Sequence, residues 1–317
     1  ADGTVVAWGN NGTRQIDVPS GLADVTAIAA GSLHSLALKR DGTVVAWGDN
    51  FYGQASVPQG LAHVTAIAGG FAHNVVIVAT APTIAAAPGG ACLADGGAKG
   101  MINLQLTGGS GPLTLTAASD NPTLLPNTAT NVALGGSGSA RTLTVTAAPK
   151  KSGKATVTLS VTDGTDTTTL AVTVFVGTDK NETLNGTAGT DLMFGLSGRN
   201  TLNGLGSIDL LCGGNADDTL KGGEGADTLG GNRGNDKLYG EGGDDILTGG
   251  RGADFFSGGE GTDTATDFTR SQCDKHDGTV ENITAPITGA AIDAPATAAD
   301  TDTPEIADQL FLPAVQN

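Results

Sequence analysis

The sequence predicts an all-β protein, and three patterns along the chain carry this prediction. A repeat with a 39-residue period fills residues 1–81, and short segments of alternating apolar and polar residues fill residues 82–176. A strict nine-residue period fills residues 177–266. All three consist of short strand-forming segments separated by Gly, Asn-Gly, Asp-Gly or Pro turns.

Composition excludes several classes of protein. The 317 residues include 50 Gly, only 4% aromatics and 33 acids against 16 Lys and Arg, which argues against an ordinary aromatic-rich enzyme core. A hydrophobic content of 38% argues against simple disorder. The net charge of −17 disfavours nucleic acid or an anionic membrane as partner and favours cations. No apolar run approaches the ~18 residues of a transmembrane segment.

Residues 1–81 contain two copies of one unit. Residues 2–9 recur without change as residues 41–48, and His34 recurs as His73. Short apolar strands with Asp-Gly and Pro turns, at roughly 40 residues per unit, are typical of propeller blades. We therefore predict two propeller-blade-like repeats, with Trp8 and Trp47 in the blade core and the two histidines in structural hydrogen bonds.

Residues 31–38, 41–48 and 50–54 resemble the regulator-of-chromosome-condensation type of propeller repeat. Propellers of this kind close a ring of about seven blades, so two blades form an incomplete ring. The resemblance implies that the chain is a fragment of a longer protein, or that another molecule completes its blades. Nucleotide-exchange activity is not carried over, because no local feature supports it.

Residues 82–176 predict an immunoglobulin-like β-sandwich. Residues 143–146 and 156–161 alternate apolar and polar side chains, and turn signals divide the segment into roughly seven strands. Residues 121–126 and 161–164 resemble bacterial immunoglobulin-like or cadherin-like modules, which serve as spacers. The segment lacks the Cys and Trp of antibody domains, so only the sandwich is implied.

Ten consecutive nonapeptides fill residues 177–266. Position one is always Gly, and position eight is Leu in most repeats. The Gly-rich first six residues predict a tight turn, and the last three predict a short strand whose middle residue points inward. Two nonapeptides then form one coil of a parallel β-roll, and five coils enclose a column of Leu. Position six reads Glu182, Asp191, Asn200, Asp209, Asp218, Asp227, Asp236, Asp245, Asp254 and Asp263.

Stacked carboxylates at this spacing need a counter-ion, and calcium binds six to eight carboxylate and carbonyl oxygens. The pattern resembles the RTX (hemolysin-type calcium-binding) repeat. The resemblance implies structural Ca²⁺ ions between turns 18 residues apart, about six in all, held by position-six carboxylates and turn carbonyls. Glu182 and Asn200 depart from the pattern. The candidate ligands are Asp191, Asp209, Asp218, Asp227, Asp236, Asp245, Asp254 and Asp263.

Residues 267–284 resemble the capping segment of RTX rolls, and we expect Phe268, Val280 and Ile283 to cover the terminal coil. Residues 285–317 begin as a Thr-, Ala-, Pro- and Asp-rich linker. Their apolar end, residues 310–315, suits a type I secretion signal, a sorting tag or a strand that docks on a neighbour.

Cysteine pairing stays open at this point. Cys92, Cys212 and Cys273 allow one disulfide with a remaining thiol, or three free thiols. Cys212 occupies position nine of its repeat, where the side chain faces outward, and Cys273 in the cap is the partner we consider for it.

No catalytic constellation is present, and we expect no enzymatic activity: the four histidines form no H-E-x-x-H motif, and no G-x-S-x-G or phosphate-binding loop occurs. The sequence instead favours a secreted, bacterial cell-surface protein, structural or adhesive in a surface layer, matrix or filament, whose roll folds on calcium after export. Expected partners are calcium, further copies of the chain through unpaired strands, and a surface glycan or protein. The alternatives are a non-catalytic targeting or secretion region of a larger secreted enzyme, and a glycan-binding propeller module.

Overall fold

The computed structural model describes residues 3–93 and 97–284 and contains β-strands with one short 3-10 helix, Arg270–Gln272. The predicted all-β class is confirmed. The predicted linker and apolar end at residues 285–317 lie outside the described residues. No helix in the described part of the chain has the length and apolarity needed to cross a membrane.

The first part contains five strands in two antiparallel sheets. Leu36, Leu38, Val44 and Val64 form a small core between them. The described strands form no closed ring. The strands are β1 (Val25–Ala30), β2 (His34–Lys39), β3 (Val44–Gly48), β4 (Val64–Gly69) and β5 (Asn74–Val78), paired as β1-β2-β3 and β4-β5.

The repeated Trp and His residues of this part differ in environment. Trp47 on β3 is 9% exposed, whereas Trp8 is 84% exposed. The prediction of a core position is therefore wrong for Trp8, because no strand covers it in the way that β2 pairs with β3. His34 is buried, and its Nε2 lies 2.7 Å from Asn74 Oδ1, which is a structural hydrogen bond between the two repeats.

The described residues of the second part form strands β6 to β12. One sheet has the order β6-β7-β10-β9, and β8, β11 and β12 form an antiparallel group in another. Leu104, Leu143, Leu159 and Val172 from the two layers belong to one buried core. The strands are β6 (Thr83–Cys92), β7 (Lys99–Thr107), β8 (Thr114–Ser119), β9 (Val132–Ser137), β10 (Ala140–Thr146), β11 (Gly153–Thr162) and β12 (Thr167–Val176).

The third part is a parallel β-solenoid in which successive strands alternate between two sheets. Each strand pairs with the strand 18 residues further along, as in Leu202 with Leu220 and Leu211 with Leu229. The strands are β13 (Thr183–Asn185), β14 (Asp191–Phe194), β15 (Thr201–Gly206), β16 (Leu210–Asn215), β17 (Thr219–Glu224), β18 (Thr228–Arg233), β19 (Lys237–Gly242), β20 (Ile246–Arg251), β21 (Phe255–Glu260), β22 (Thr264–Ala265), β23 (Lys275–His276) and β24 (Asn282–Ile283).

Position eight of the nonapeptides points into the solenoid, as predicted. The buried column is Met193, Leu202, Leu211, Leu220, Leu229, Leu238, Leu247, Phe256 and Ala265. The cap segment continues the solenoid, because β23 pairs with β21 and β24 pairs with β22. Phe268 and Val280 join the same core, so the roll has a sixth coil beyond the five that the nonapeptides predict.

The solenoid and the second part share a sheet. β12 pairs in parallel with β14, from Thr173 with Asp191 to Val176 with Phe194. One nine-stranded sheet therefore runs from β8 to β24. Phe194 and Leu210 lie in the core of the second part. The change in sequence pattern at residue 177 thus falls within one continuous sheet.

A disulfide joins these two parts. Cys92 on β6 is bonded to Cys212 on β16, with Cα atoms 5.9 Å apart, and Cys273 is free and exposed. Pairing of Cys212 with Cys273 is therefore wrong. Cys212 does face outward from the roll, but β6 packs on that face and supplies the partner.

Candidate metal centre

Position six of the nonapeptides forms two columns of side chains, one at each edge where a turn enters a strand. One column contains Asp191, Asp209, Asp227, Asp245 and Asp263, and the other contains Asn200, Asp218, Asp236 and Asp254. All eight predicted ligand residues are buried. Because each coil adds 18 residues, like turns stack directly on one another.

One carboxylate oxygen of each stacked residue holds the neighbouring turn. The backbone N–H of Asp209 donates to Asp227 Oδ1 at 2.8 Å, and that of Asp218 donates to Asp236 Oδ1 at 2.7 Å. The same bond recurs along both columns. The Oδ1 atoms are therefore structural acceptors that set the spacing of the turns.

The second carboxylate oxygen has no partner in six of the eight residues. A buried acceptor left without a hydrogen bond costs about 1–3 kcal/mol, and more when it is charged. A cation would satisfy such oxygens, and carboxylate oxygen is the donor type that Ca²⁺ prefers. The buried unpartnered atoms are Oδ2 of Asp209, Asp218, Asp227, Asp236, Asp245 and Asp263.

Burial also changes the proton affinity of these carboxyls. It raises the pKa of Asp209 to about 9 and those of Asp236 and Asp245 to about 8. The pKa values of Asp218 and Asp227 rise to about 7 for the same reason. Neighbouring acids add to the effect, including Asp227 beside Asp209. The buried columns therefore require either protons or a bound cation near neutral pH.

Position one requires Gly because of the space beside the carboxylate. A Cβ on Gly213 would lie 2.5 Å from Asp218 Oδ2 and 3.0 Å from the carbonyl oxygen of Gly231. A Cβ on Gly222 would likewise contact Asp227 Oδ2 and the Gly240 carbonyl oxygen. A carboxylate oxygen and a carbonyl oxygen thus approach the space that a side chain would fill, which suits an oxygen-binding cation.

Asn200 shows how one turn is satisfied without a cation. Its Nδ2 donates to the carbonyl oxygens of Gly195, Ser197 and Gly198 at 3.1, 3.3 and 3.0 Å. The neutral amide group thus satisfies these turn carbonyls with hydrogen bonds. In the other turns, carbonyl oxygens of this kind would be the additional ligands of an ion.

Asp191 differs from the other predicted ligands. Its Oδ2 accepts hydrogen bonds from Thr187 N–H at 2.5 Å and from Thr187 Oγ1 at 3.1 Å. Glu182 departs in a similar way, since its Oε1 accepts a hydrogen bond from Thr178 N–H. The turns that open the roll are therefore satisfied by their own residues.

Two acids of the cap extend the columns, and the nonapeptide pattern does not contain them. Asp254 N–H donates to Asp274 Oδ1 at 3.0 Å, and Asp263 N–H donates to Glu281 Oε2 at 2.7 Å. Glu281 lies 18 residues after Asp263, so the spacing of the column predicts its position from the sequence. Asp274 is 20 residues from Asp254, because the 3-10 helix lengthens that coil.

No cluster of three or more His, Cys, Asp or Glu side chains suited to a metal occurs within residues 3–93 and 97–284. The columns instead bring carboxylates together in successive pairs. An ion here would take its remaining oxygens from backbone carbonyls.

The fold and these columns define a calcium-binding parallel β-roll. Residues 176–211, 204–238, 212–247 and 230–265 each match the RTX calcium-binding nonapeptide repeat. Residues 25–54 match the regulator of chromosome condensation (RCC1) repeat. Both resemblances are confirmed for those segments, and calcium is a ligand of the roll. The sequence has no match among curated proteins.

The contact at position one predicts a sharp difference between two nearby glycines. Gly204→Ala places a methyl group against Asp209 Oδ2 and the Gly222 carbonyl oxygen, whereas Gly206→Ala meets only one atom, Glu224 O at 4.0 Å. We expect Gly204→Ala to lower the free energy of unfolding by about 1–3 kcal/mol and to weaken calcium binding. Gly206→Ala is the matched control with both properties retained. Calorimetric melts and calcium titrations of the two variants measure this, and equal behaviour would contradict the assigned packing.

Stability of the metal-free roll should fall as pH rises. The pKa values of the column carboxyls are raised in the folded state, so their stabilising contribution is complete below the unfolded value of 3.8 and is lost as pH passes through about 7 to 9. The pKa values of Asp41 and Asp163 are lowered by hydrogen bonds, so the stability that these two carboxylates contribute is complete above about pH 4 and is lost only below it. In chelator, a larger fraction of the roll should therefore be folded at pH 5 than at pH 9, as measured by circular dichroism. With calcium the order should reverse, since only ionised carboxylates bind the ion, and a flat metal-free profile would refute the expectation.

Proposed function

We propose that this chain is an extracellular structural or adhesive protein, without enzymatic activity, whose roll folds on calcium after export. The observation that carries the proposal is the set of six buried, unpartnered Oδ2 atoms in two columns. RTX repeats are typical of secreted bacterial proteins. Their presence supports a place outside the cell, at a surface layer, matrix or filament.

In this proposal the ions are structural and number about six. Each would be held by position-six carboxylates of successive coils together with turn carbonyls. Calcium would neutralise the negative charge of the buried carboxylates. Asp274 and Glu281 extend the two columns into the cap and would complete the last interval on each side. Extracellular calcium modules bind at ~10⁻⁴ to 10⁻³ M. The roll would then remain unfolded where calcium is scarce and fold where it is abundant, because binding free energy becomes folding free energy.

The connection to the second part supports a mechanical role. β12 and β14 belong to one sheet, and the disulfide adds a covalent link between β6 and β16. A folded roll therefore continues the β-layers of residues 82–176 without a flexible joint. Such a continuous element suits a spacer or a surface-layer component.

A calcium titration with a matched pair of variants tests the proposal. Asp227→Asn keeps the Oδ1 acceptor for Asp209 N–H and places an amide where the unpartnered Oδ2 lies, as Asn200 does naturally. We expect it to bind at least one ion fewer and to make the metal-free roll more stable. Asp179→Asn removes the same charge at an exposed position of the roll and should change neither property.

The readouts are ion stoichiometry by calorimetry and folding by circular dichroism. The wild-type folding midpoint should lie at ~10⁻⁴ to 10⁻³ M Ca²⁺, with no response to Mg²⁺ in the same range. A midpoint in the submicromolar range would contradict the extracellular role. Identical titrations of the two variants would contradict the ligand assignment.

A further inference from the structure

The two outer faces of the roll differ in what covers them. The outward side chains of β14 and β16, among them Phe194, Leu210 and Cys212, pack into the core of the second part. The other sheet contains β13, β15, β17, β19, β21 and β23, and no strand of the first or second part packs on its outer face within the described residues. Positions seven and nine of its nonapeptides therefore lie on an open face, because position eight points inward.

One half of this open face is basic and aromatic. Lys221 pairs across the strands with Tyr239, and Phe255 lies between Lys237 and Lys275 in the sheet register. The three lysines are exposed, and the two aromatic residues are half-buried, with ring centroids 5.7 Å apart. We call these five residues the basic face. In the first coils the same positions are Thr and Asn, so the basic face belongs to the later coils alone.

The lysines of the basic face are unpaired although the chain is strongly acidic. None of the three forms an ion pair in the part of the chain that the structure describes. Asp277 borders the face, and its side chain is hydrogen-bonded to Ser257. Three cations beside two aromatic rings, in a chain of net charge −17, form a surface complementary to a segment that is both acidic and apolar.

A segment of this composition lies in the chain itself, outside the described residues. Residues 285–317 contain five acids and no Lys or Arg, and residues 310–315 are apolar. Four of the acids lie close together just before this apolar run. They are Asp300, Asp302, Glu305 and Asp308. We call residues 300–315 the acidic segment, because they offer carboxylates to the lysines and apolar side chains to the rings of the basic face.

The acidic segment is attached close to the basic face. β23 and β24 belong to the same last coil on opposite sheets, and Thr284 follows β24 directly. Packed sheets lie ~10 Å apart, whereas the chain from Thr284 to Asp300 can span up to ~50 Å. Such a tether holds the segment at an effective concentration on the order of millimolar. It therefore favours docking within one molecule over the binding of a separate acidic partner.

We propose that the acidic segment docks on the basic face of the roll in the same molecule. Its carboxylates pair with the three lysines, and the apolar residues that follow pack against Tyr239 and Phe255. The lysines are far apart in the sequence and share one face only when the roll is folded. Docking therefore follows folding, and its dependence on calcium rests on the proposed function. The segment is covered when the roll is loaded with calcium and released when the ion is removed.

Carbodiimide cross-linking of the full chain tests the contact. The reagent joins a carboxylate to a lysine amine as an amide where the two groups meet, and takes up the water that is lost. In calcium, mass spectrometry should find residues 300–308 linked to lysines of the basic face, whereas the exposed Lys150 and Lys180 should stay unlinked to them. In a mixture of isotopically labelled and unlabelled chains, each link should join residues of one label. Links that are absent from the basic face, spread evenly over exposed lysines, or formed between the two labels would overturn the proposal.

Cleavage after Glu305 by a glutamate-specific protease supplies the second readout. In calcium, this cleavage should be about tenfold slower in the wild type than in a variant of the basic face, which corresponds to about 1.4 kcal/mol of docking free energy. That variant carries Lys221→Gln, Lys237→Gln and Lys275→Gln. The matched control removes three exposed lysines elsewhere, with Lys150→Gln, Lys151→Gln and Lys180→Gln, and should keep the slow rate. Circular dichroism verifies that both variants fold, and equal cleavage rates in the wild type and the basic-face variant would refute docking.

The same readouts separate docking from calcium-driven folding of the roll. In chelator, an unfolded roll should lose the cross-links and the slow cleavage together. Cross-links that persist in chelator, with the β signal of the roll intact, would confirm docking and contradict calcium-dependent folding. A roll that folds with calcium but never forms the cross-links would refute docking alone.

Discussion

Chelation of calcium is expected to unfold the coils of the roll that lie farthest along the chain from the second part, from β17 to β24. Strands β1–β5 should keep their structure. The columns would then contain buried carboxylates without counter-ions, and their mutual repulsion and desolvation would oppose folding. Each site bound at a hundredfold excess over its Kd adds about 2.7 kcal/mol. About six such sites would together add about 16 kcal/mol, which is similar to the upper end of the ~5–15 kcal/mol of a typical domain, so the effect is the largest expected for this chain.

Hydrogen exchange measured by mass spectrometry locates this unfolding. Protection should be lost over residues 219–283, and less over β14 and β16, because Phe194 and Leu210 remain packed in the core of the second part. Strands β1–β5 provide an internal reference, and added Mg²⁺ provides the ion control. Protection of residues 219–283 that survives chelation at neutral pH would show that the roll needs no metal.

Removal of the Cys92–Cys212 disulfide is the second large perturbation. The bond closes a loop with a sequence separation of 120 residues. Losing a disulfide of this kind costs about 2–5 kcal/mol, because the unfolded chain gains freedom. We expect the Cys92→Ala, Cys212→Ala double variant to melt at lower temperature. Chelation of that variant should also spread unfolding into β12 and β11.

Cys273→Ser is the matched control, since Cys273 is exposed and unbonded, and it should melt like the wild type. Thermal melts in calcium and in chelator separate the two contributions. An unchanged melting temperature in the double variant would show that the shared sheet between β12 and β14 alone holds the two parts together.

The nine-residue period explains why much of the structure of the roll can be predicted from the sequence. Position eight of the nonapeptides predicts the buried Leu column, and position six predicts the stacked carboxylates. The same local geometry repeats with every coil, so a residue's place in the period determines which way its side chain points. Equivalent position-six acids nevertheless differ in a way that the period does not predict: Asp191 Oδ2 accepts a hydrogen bond from Thr187 N–H, whereas Asp227 Oδ2 has no partner.

The cap shows where register stops being informative. Glu281 follows the 18-residue spacing and lies at the end of its column, but Asp274 is displaced by two residues and reaches the same kind of position only through the 3-10 helix. Trp8 provides the opposite case. Residues 2–9 around Trp8 are identical to residues 41–48 around Trp47, yet Trp8 is exposed because burial depends on a neighbouring strand and not on the repeat itself.

By itself, the sequence determined the all-β class, the coil length, the Leu column and the two lines of acids, because these follow from short-range spacing repeated along the chain. Only the tertiary structure decided that β12 and β14 share a sheet, that Cys212 pairs with Cys92, and that β5 pairs with β4 alone within the described residues. Those features depend on which surfaces of distant segments meet. That choice is made by packing between layers, about which a local period carries no information.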